Sequence, residues 1–224
     1  MQTSRGTAAS RAADMTAIQK WLAGLAATIV VCIVAYQWID RPLSLFADGR
    51  LIQHRTYSAL THIPDPFMPA AVIAFTLIGL CIFSLAARSL PKIEVTALLC
   101  SISAIVVDAT KGVLKFAFGR TWPDTWIENN PSFIHDGVYG FNFFHGGRGY
   151  MAFPSGHMAL TCAVLTVLWL AYPKVRALYA LVALAVAVGL IGANYHFLSD
   201  IVAGSFVGVS TGWMVTAMWQ ARQR

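Results

Sequence analysis

Charge is scarce in this chain: of its 224 residues, only 12% are Asp, Glu, Lys or Arg. Soluble domains carry roughly 25%, so the composition excludes an ordinary water-covered globule. Cysteine is sparse as well. Cys32, Cys81, Cys100 and Cys162 each stand alone inside an apolar run. With no CxxC and no Cys/His ligand spacing, neither a disulfide framework nor a zinc site is indicated. Basic runs are missing too. The formal charge is +6 and the pI about 9.4, yet Lys and Arg come in twos and threes between apolar stretches. That is how a membrane protein distributes them, and it argues against a nucleic-acid partner.

What is abundant is apolar length. Hydrophobic residues make up 57% of the chain, and the mean hydropathy is +0.62. Residues 21–39 form a run of about nineteen, enough to cross a bilayer core. Further runs follow at 70–87, 95–118, 158–172, 177–193 and 201–219. They predict an all-α integral membrane bundle of six transmembrane helices occupying residues 19–224. A tail, residues 1–18, rich in Ala, Ser, Thr and Arg, is expected to be unstructured. The first run reads as a retained span, because its apolar part is long and no A-x-A-like cleavage site follows. "IPDPFMP" stops any helix ahead of the second span, and residues 41–69 have the weak amphipathicity of an interfacial segment. Gly204, Gly208 and Gly212 put a small-residue stripe on the last span, suited to close packing in lipid.

Lys and Arg set the expected orientation. Arg5, Arg11, Lys20, Arg88, Lys92, Lys174, Arg176, Arg222 and Arg224 fall on one side; Arg41, Arg50, Arg55, Arg120 and Arg148 fall on the other. The richer side is expected to be cytoplasmic, with both termini. An even number of spans then opens the loop 119–153 and the connection before the last span on one extracytoplasmic face.

The chemistry-bearing residues converge on that face. In "PSGH", Ser155 is placed to cap a helix and Gly156 lets a ligand approach the backbone. The helix start favours an anion such as phosphate, and His157 stands ready to donate a proton. A plain capped helix start is the competing reading. In "HFLSD", His196 and Asp200 are four apart, neighbours on a helical face. An aspartate on one imidazole nitrogen leaves the other free to attack. A structural His–Asp hydrogen bond also fits, whereas a metal site lacks a third ligand at helical spacing. Asp108, Lys111 and Lys115 share a face inside the third span, where ionisable groups are expensive. A structural Asp108–Lys111 pair is the competing reading; Lys115 and Arg120 lie within reach of a phosphate.

Together these residues resemble the type 2 phosphatidic acid phosphatase family, a six-helix membrane fold with three motifs: K-x6-R-P, P-S-G-H and S-R-x5-H-x3-D. The resemblance covers about residues 115–200. "PSGH" is intact, and His196 and Asp200 keep the third motif. Two positions depart: the family arginines fall on Trp122 and Leu190, and Arg120 is the expected replacement, ahead of Arg148 in "HGGRGY". The resemblance implies a metal-independent hydrolase without a cofactor. His196 would be the nucleophile forming a phosphohistidine, Asp200 its orienting partner and His157 the acid and base. Lys115, Arg120, Ser155 and Gly156 would hold the phosphate. The substrate class is a lipid phosphate or polyprenyl pyrophosphate at the bilayer surface, with the site facing the periplasm of a bacterial inner membrane. A lipid phosphotransferase using the same site and a non-catalytic lipid-phosphate binder are the alternatives. The aromatic loop from Trp122 to Tyr150 reads as an interfacial belt or a substrate lid.

Overall fold

The computed structural model describes residues 3–52, 54–84, 90–126 and 128–223. Among them it is all-helical, with isolated β-bridges and no strand. Helix α1 (Thr3–Val34) passes through a π-helical turn (Ala35–Ile39) into α2 (Asp40–Arg50). Then come α3 (Arg55–Thr61), α4 (Phe67–Ser84), α5 (Lys92–Phe118), the single turn α6 (Phe133–Asp136), α7 (Gly156–Ala171), α8 (Arg176–Gly192) and α9 (Leu198–Ala221). Residues 3–18, expected to be unstructured, are drawn as helix at the start of α1. Their alanine content favours that state once an adjoining span supplies the nucleus.

Among the described residues, four segments have the length and apolar composition to cross a membrane: Thr16–Arg50, Lys92–Phe118, Pro173–Gly192 and Leu198–Ala221. The second expected span falls on α4 (Phe67–Ser84), and the fourth on α7 (Gly156–Ala171), a shorter apolar helix. At 1.5 Å per residue, the 16 residues of α7 reach about 24 Å, short of a ~30 Å hydrocarbon core. The bounds of α7 lie within two residues of the expected 158–172. Outward-facing Ile73, Leu77, Val113, Leu181 and Met218 are each more than half exposed, which suits a hydrocarbon solvent.

The glycine stripe sets the central contact. A Cβ on Gly204 would lie 2.5 Å from the Ser155 carbonyl oxygen, and one on Gly208 2.3 Å from that of Ala159. Only glycine lets α9 approach the α7 backbone this closely. Two apolar clusters flank the contact. Ala71, Ala104, Val107, Ala159, Leu160 and Ala163 join α4, α5 and α7; Met158, Cys162, Val186, Leu190 and Ile201 join α7, α8 and α9. On α8, a Cβ on Gly192 would meet the Tyr57 ring at 2.3 Å. That seats α3, and the loop behind it, beside the same end of the bundle.

Candidate active site

Helix α5 ends at Gly119, whose left-handed φ of +54° turns the chain sharply back. A Cβ there would lie 1.7 Å from the Asn142 carbonyl oxygen, so the turn requires glycine. The turn sends Arg120 inward. Its side chain is fully buried.

His196 and Asp200 meet at the start of α9. Asp200 is the third residue of that helix, and its Oδ2 accepts the Phe197 N–H at 3.0 Å. The same oxygen lies 3.4 Å from His196 Nδ1, an ion-pair distance rather than a good hydrogen bond. Both side chains are sealed: Asp200 is fully buried and His196 is 4% exposed. The Trp122 ring packs on His196, centroids 5.2 Å apart. Burial pushes the His196 pKa below the ordinary 6.5, while Asp200 and the Ala152 carbonyl pull the other way.

Behind this pair stands a network that local motifs do not show. Arg120 Nη1 donates to Asp200 Oδ1 at 2.5 Å and to Ser199 Oγ at 2.6 Å. Its Nη2 donates to Asp40 Oδ2 at 2.8 Å and reaches the Tyr139 hydroxyl at 3.3 Å. Asp40 Oδ1 accepts the Ser199 N–H at 3.0 Å, and the Ser199 hydroxyl donates to Asp40 Oδ2. Phe197, Phe141, Tyr36 and Tyr139 enclose the guanidinium at 4.4 to 5.4 Å. Burial works against its charge, but Asp200 and Asp40 more than offset this and raise its pKa. Asp40 stands at the start of α2, two residues before Pro42, which has no N–H for a regular helical hydrogen bond. The helix widens into the π-helical turn just before it.

Two carboxylates against one guanidinium leave this cluster with a net charge of −1. That residual charge favours a positive imidazole at His196. The Arg120 side chain, expected to grip phosphate, has its Nη donors facing Asp40 and Asp200, behind the His196–Asp200 pair.

The other histidine lies in a different setting. Ser155 caps α7, accepting the Met158 N–H on its Oγ, and its own N–H donates to the Asp200 carbonyl at 3.0 Å. It is fully buried, and its hydroxyl oxygen serves the helix start. His157, one residue into α7, is 42% exposed and sits 3.8 Å through Nε2 from Asp65 Oδ1. Asp65 Oδ2 in turn meets His62 Nδ1 at 2.7 Å. The His157 and His196 ring centroids are 6.4 Å apart.

Between them opens a cavity of about 510 Å³, lined by Lys111, Lys115, Trp122, Gly156, His157, His196 and neighbours. Lys115 Nζ donates to the Met151 carbonyl and lies 5.4 Å above the Trp122 ring. Of the residues expected to hold phosphate, Lys115 and Gly156 line this cavity. Arg148 points outward, 3.7 Å from Glu128 with both side chains at least 70% exposed. Its carbonyl accepts the Trp122 Nε1–H at 2.8 Å. Leu190 is fully buried, and its carbonyl accepts the Tyr195 N–H at 2.9 Å. Neither position supplies a cation to the cavity. Among the described residues no three His, Cys, Asp or Glu side chains form a group able to hold a metal ion.

Sequence reasoning missed Asp40 and Asp65. Asp40 had a weak signal, an acid at the end of an apolar span. Asp65 had none beyond standing between two prolines.

Fold and site define a helical membrane protein of the phosphatase class. The chain belongs to the PAP2 superfamily, whose family model matches residues 94–224. Its fold is similar to that of a transmembrane PAP2-type phosphatidylglycerolphosphate phosphatase from Bacillus subtilis. That crystal structure is 14% identical and superposes with a TM-score of 0.60, covering 90% of this chain and 96% of the other. No curated protein matches the sequence. Asp40 and Asp65 lie outside the part that the family model covers.

Proposed function

We propose that the protein is a lipid phosphatase, hydrolysing a lipid phosphate or polyprenyl pyrophosphate at the extracytoplasmic face of the membrane. One observation carries the reading. A sealed histidine backed by a carboxylate and a wetter histidine 6.4 Å away share one lysine-lined cavity. Binding alone does not need that division of labour, and a nucleophile paired with a proton donor does.

In this reading His196 attacks phosphorus while Asp200 holds Nδ1 and balances the charge growing on the ring. The ester or anhydride P–O bond breaks, and the leaving oxygen takes the proton of His157. Lys115 and the Gly156 N–H stabilise the non-bridging oxygens. Water then attacks the phosphohistidine, giving its proton to His157; the P–N bond breaks and inorganic phosphate leaves. His157 is protonated again, so the cycle closes without net proton change in the protein. The Bacillus subtilis structure supports a headgroup phosphate as substrate by fold alone. The short α7 supports a cavity at headgroup depth, from which a lipid's tails remain in the bilayer. The bias of Lys and Arg supports cytoplasmic termini, and a bacterial inner membrane is the setting that fits.

The test is phosphate release from a panel of lipid phosphates and pyrophosphates by purified protein in EDTA. Turnover by the wild type with His196→Ala at background is expected. Undiminished hydrolysis in His196→Ala would sink the mechanism, and label transferred from the substrate to a lipid acceptor would make the enzyme a phosphotransferase.

A further inference from the structure

A transferring phosphoryl group carries charge on three oxygens, and its stabilisation depends on fixed cations and donors in a partly dry site. Three basic side chains lie close to the histidine pair. Arg120 is turned away, held by Asp40 and Asp200. Lys115 lines the cavity. The third is Lys111, which also lines it, one helical turn before Lys115 on the same face of α5. Its stem rests on the bare backbone of Gly156: the place a Cβ would occupy there is 3.2 Å from Lys111 Cδ and 3.5 Å from Nζ. The ammonium thus stands beside the residue that precedes His157. Its counter-ion, Asp108 Oδ1 at 2.6 Å, comes from the same helix, and that carboxylate is 44% exposed.

We propose that Lys111 is the second phosphate-binding residue of this site. Lys111 exchanges Asp108 for a substrate oxygen, and Asp108 keeps the ammonium charged and parked while the cavity is empty. Because α5 runs toward the open end of the site, Lys111 lies about 6 Å deeper than Lys115. It therefore meets the oxygens on the lipid side of the reacting phosphorus. Gly156 is part of the device, since a side chain there would press on the lysine stem. The inference rests on the phosphatase reading for its chemistry, but the anion-binding half of its test does not need turnover.

The experiment compares Lys111→Met, Lys111→Arg and Asp108→Asn in purified protein. Orthovanadate affinity is measured by calorimetry, and kcat and KM are measured on a lipid phosphate. A charge-assisted contact of ordinary strength predicts vanadate binding weakened about tenfold to a hundredfold in Lys111→Met, with KM raised alongside. Lys111→Arg stays within a few-fold of wild type, and Asp108→Asn binds vanadate as tightly as wild type or more so. A merely structural ion pair gives the opposite pattern: Asp108→Asn and Lys111→Met lose affinity and thermal stability together. That outcome, or unchanged vanadate binding in a folded Lys111→Met, overturns the proposal. A wild type that binds vanadate through Lys111 but hydrolyses no lipid phosphate overturns the phosphatase reading and leaves this one standing.

Discussion

Two histidines face one cavity, and each has an aspartate, but the surroundings are opposite. His196 and Asp200 are sealed, with Arg120, Asp40 and Ser199 behind them and Trp122 in front. His157 and Asp65 are about half exposed, and their pairing runs on to His62 at the surface. The difference matches two jobs. An attacking nitrogen gains from a fixed ring and a carboxylate that water cannot screen. A group that gives a proton to a leaving oxygen and then takes one from water has to be reachable by water.

The strongest way to break the comparison is Asp200→Asn, which keeps the shape and removes the charge. A loss in kcat of roughly a thousandfold to ten-thousandfold is expected, as for the aspartate of a catalytic triad. The pH profile adds a check with a definite sign. As the proposed nucleophile His196 has to be neutral to attack, and burial holds its pKa under 6.5. The acid limb of kcat/KM is therefore expected below that value. Asp200 pulls the pKa up, so the residual activity of Asp200→Asn should have its acid limb at still lower pH. A limb that moves upward breaks the assignment of His196 as nucleophile.

Next in size is Arg120→Met. It would strand two buried carboxylates, and removing one partner of a buried ion pair costs about 3–5 kcal/mol. Purified Arg120→Met is expected to melt well below wild type and to be inactive, whereas a phosphate ligand at the surface of the cavity would lose KM and keep its melting temperature. Asp40→Asn is milder. It turns the cluster from a net −1 to neutral, so phosphohistidine should form about tenfold more slowly, read by trapping labelled enzyme in acid-free quench. Equal labelling rates in Asp40→Asn and wild type would mean that α2 contributes packing alone.

The sealed side shows what local sequence can and cannot carry. Two motifs lie within a few residues, so the capped start of α7 and the His196–Asp200 pair are legible from spacing and helix geometry alone. The stripe of Gly204, Gly208 and Gly212 is legible for the same reason. Asp40 and Arg120, however, are 80 residues apart, and nothing local marks them as partners. Arg120 looked free in the sequence because its competitors arrive from α2 and α9 only when the bundle closes.

The smallest expected effect is the one that sharpens the comparison most. Asp65→Asn removes a carboxylate 3.8 Å from the His157 ring, at a wet site where such contacts are screened. If His157 is the proton donor, the loss should depend on how much the leaving group needs a proton. A lipid alkoxide needs one, and a p-nitrophenolate does not. The kcat/KM of Asp65→Asn on a lipid phosphate is expected to fall about threefold to tenfold, with p-nitrophenyl phosphate hydrolysed at the wild-type rate. Sealed-side variants should slow both substrates alike, because attack by His196 is common to both. Equal slowing of the two substrates by Asp65→Asn would place Asp65 in anion binding or packing, and the division between a dry nucleophile and a wet acid would then rest on exposure alone.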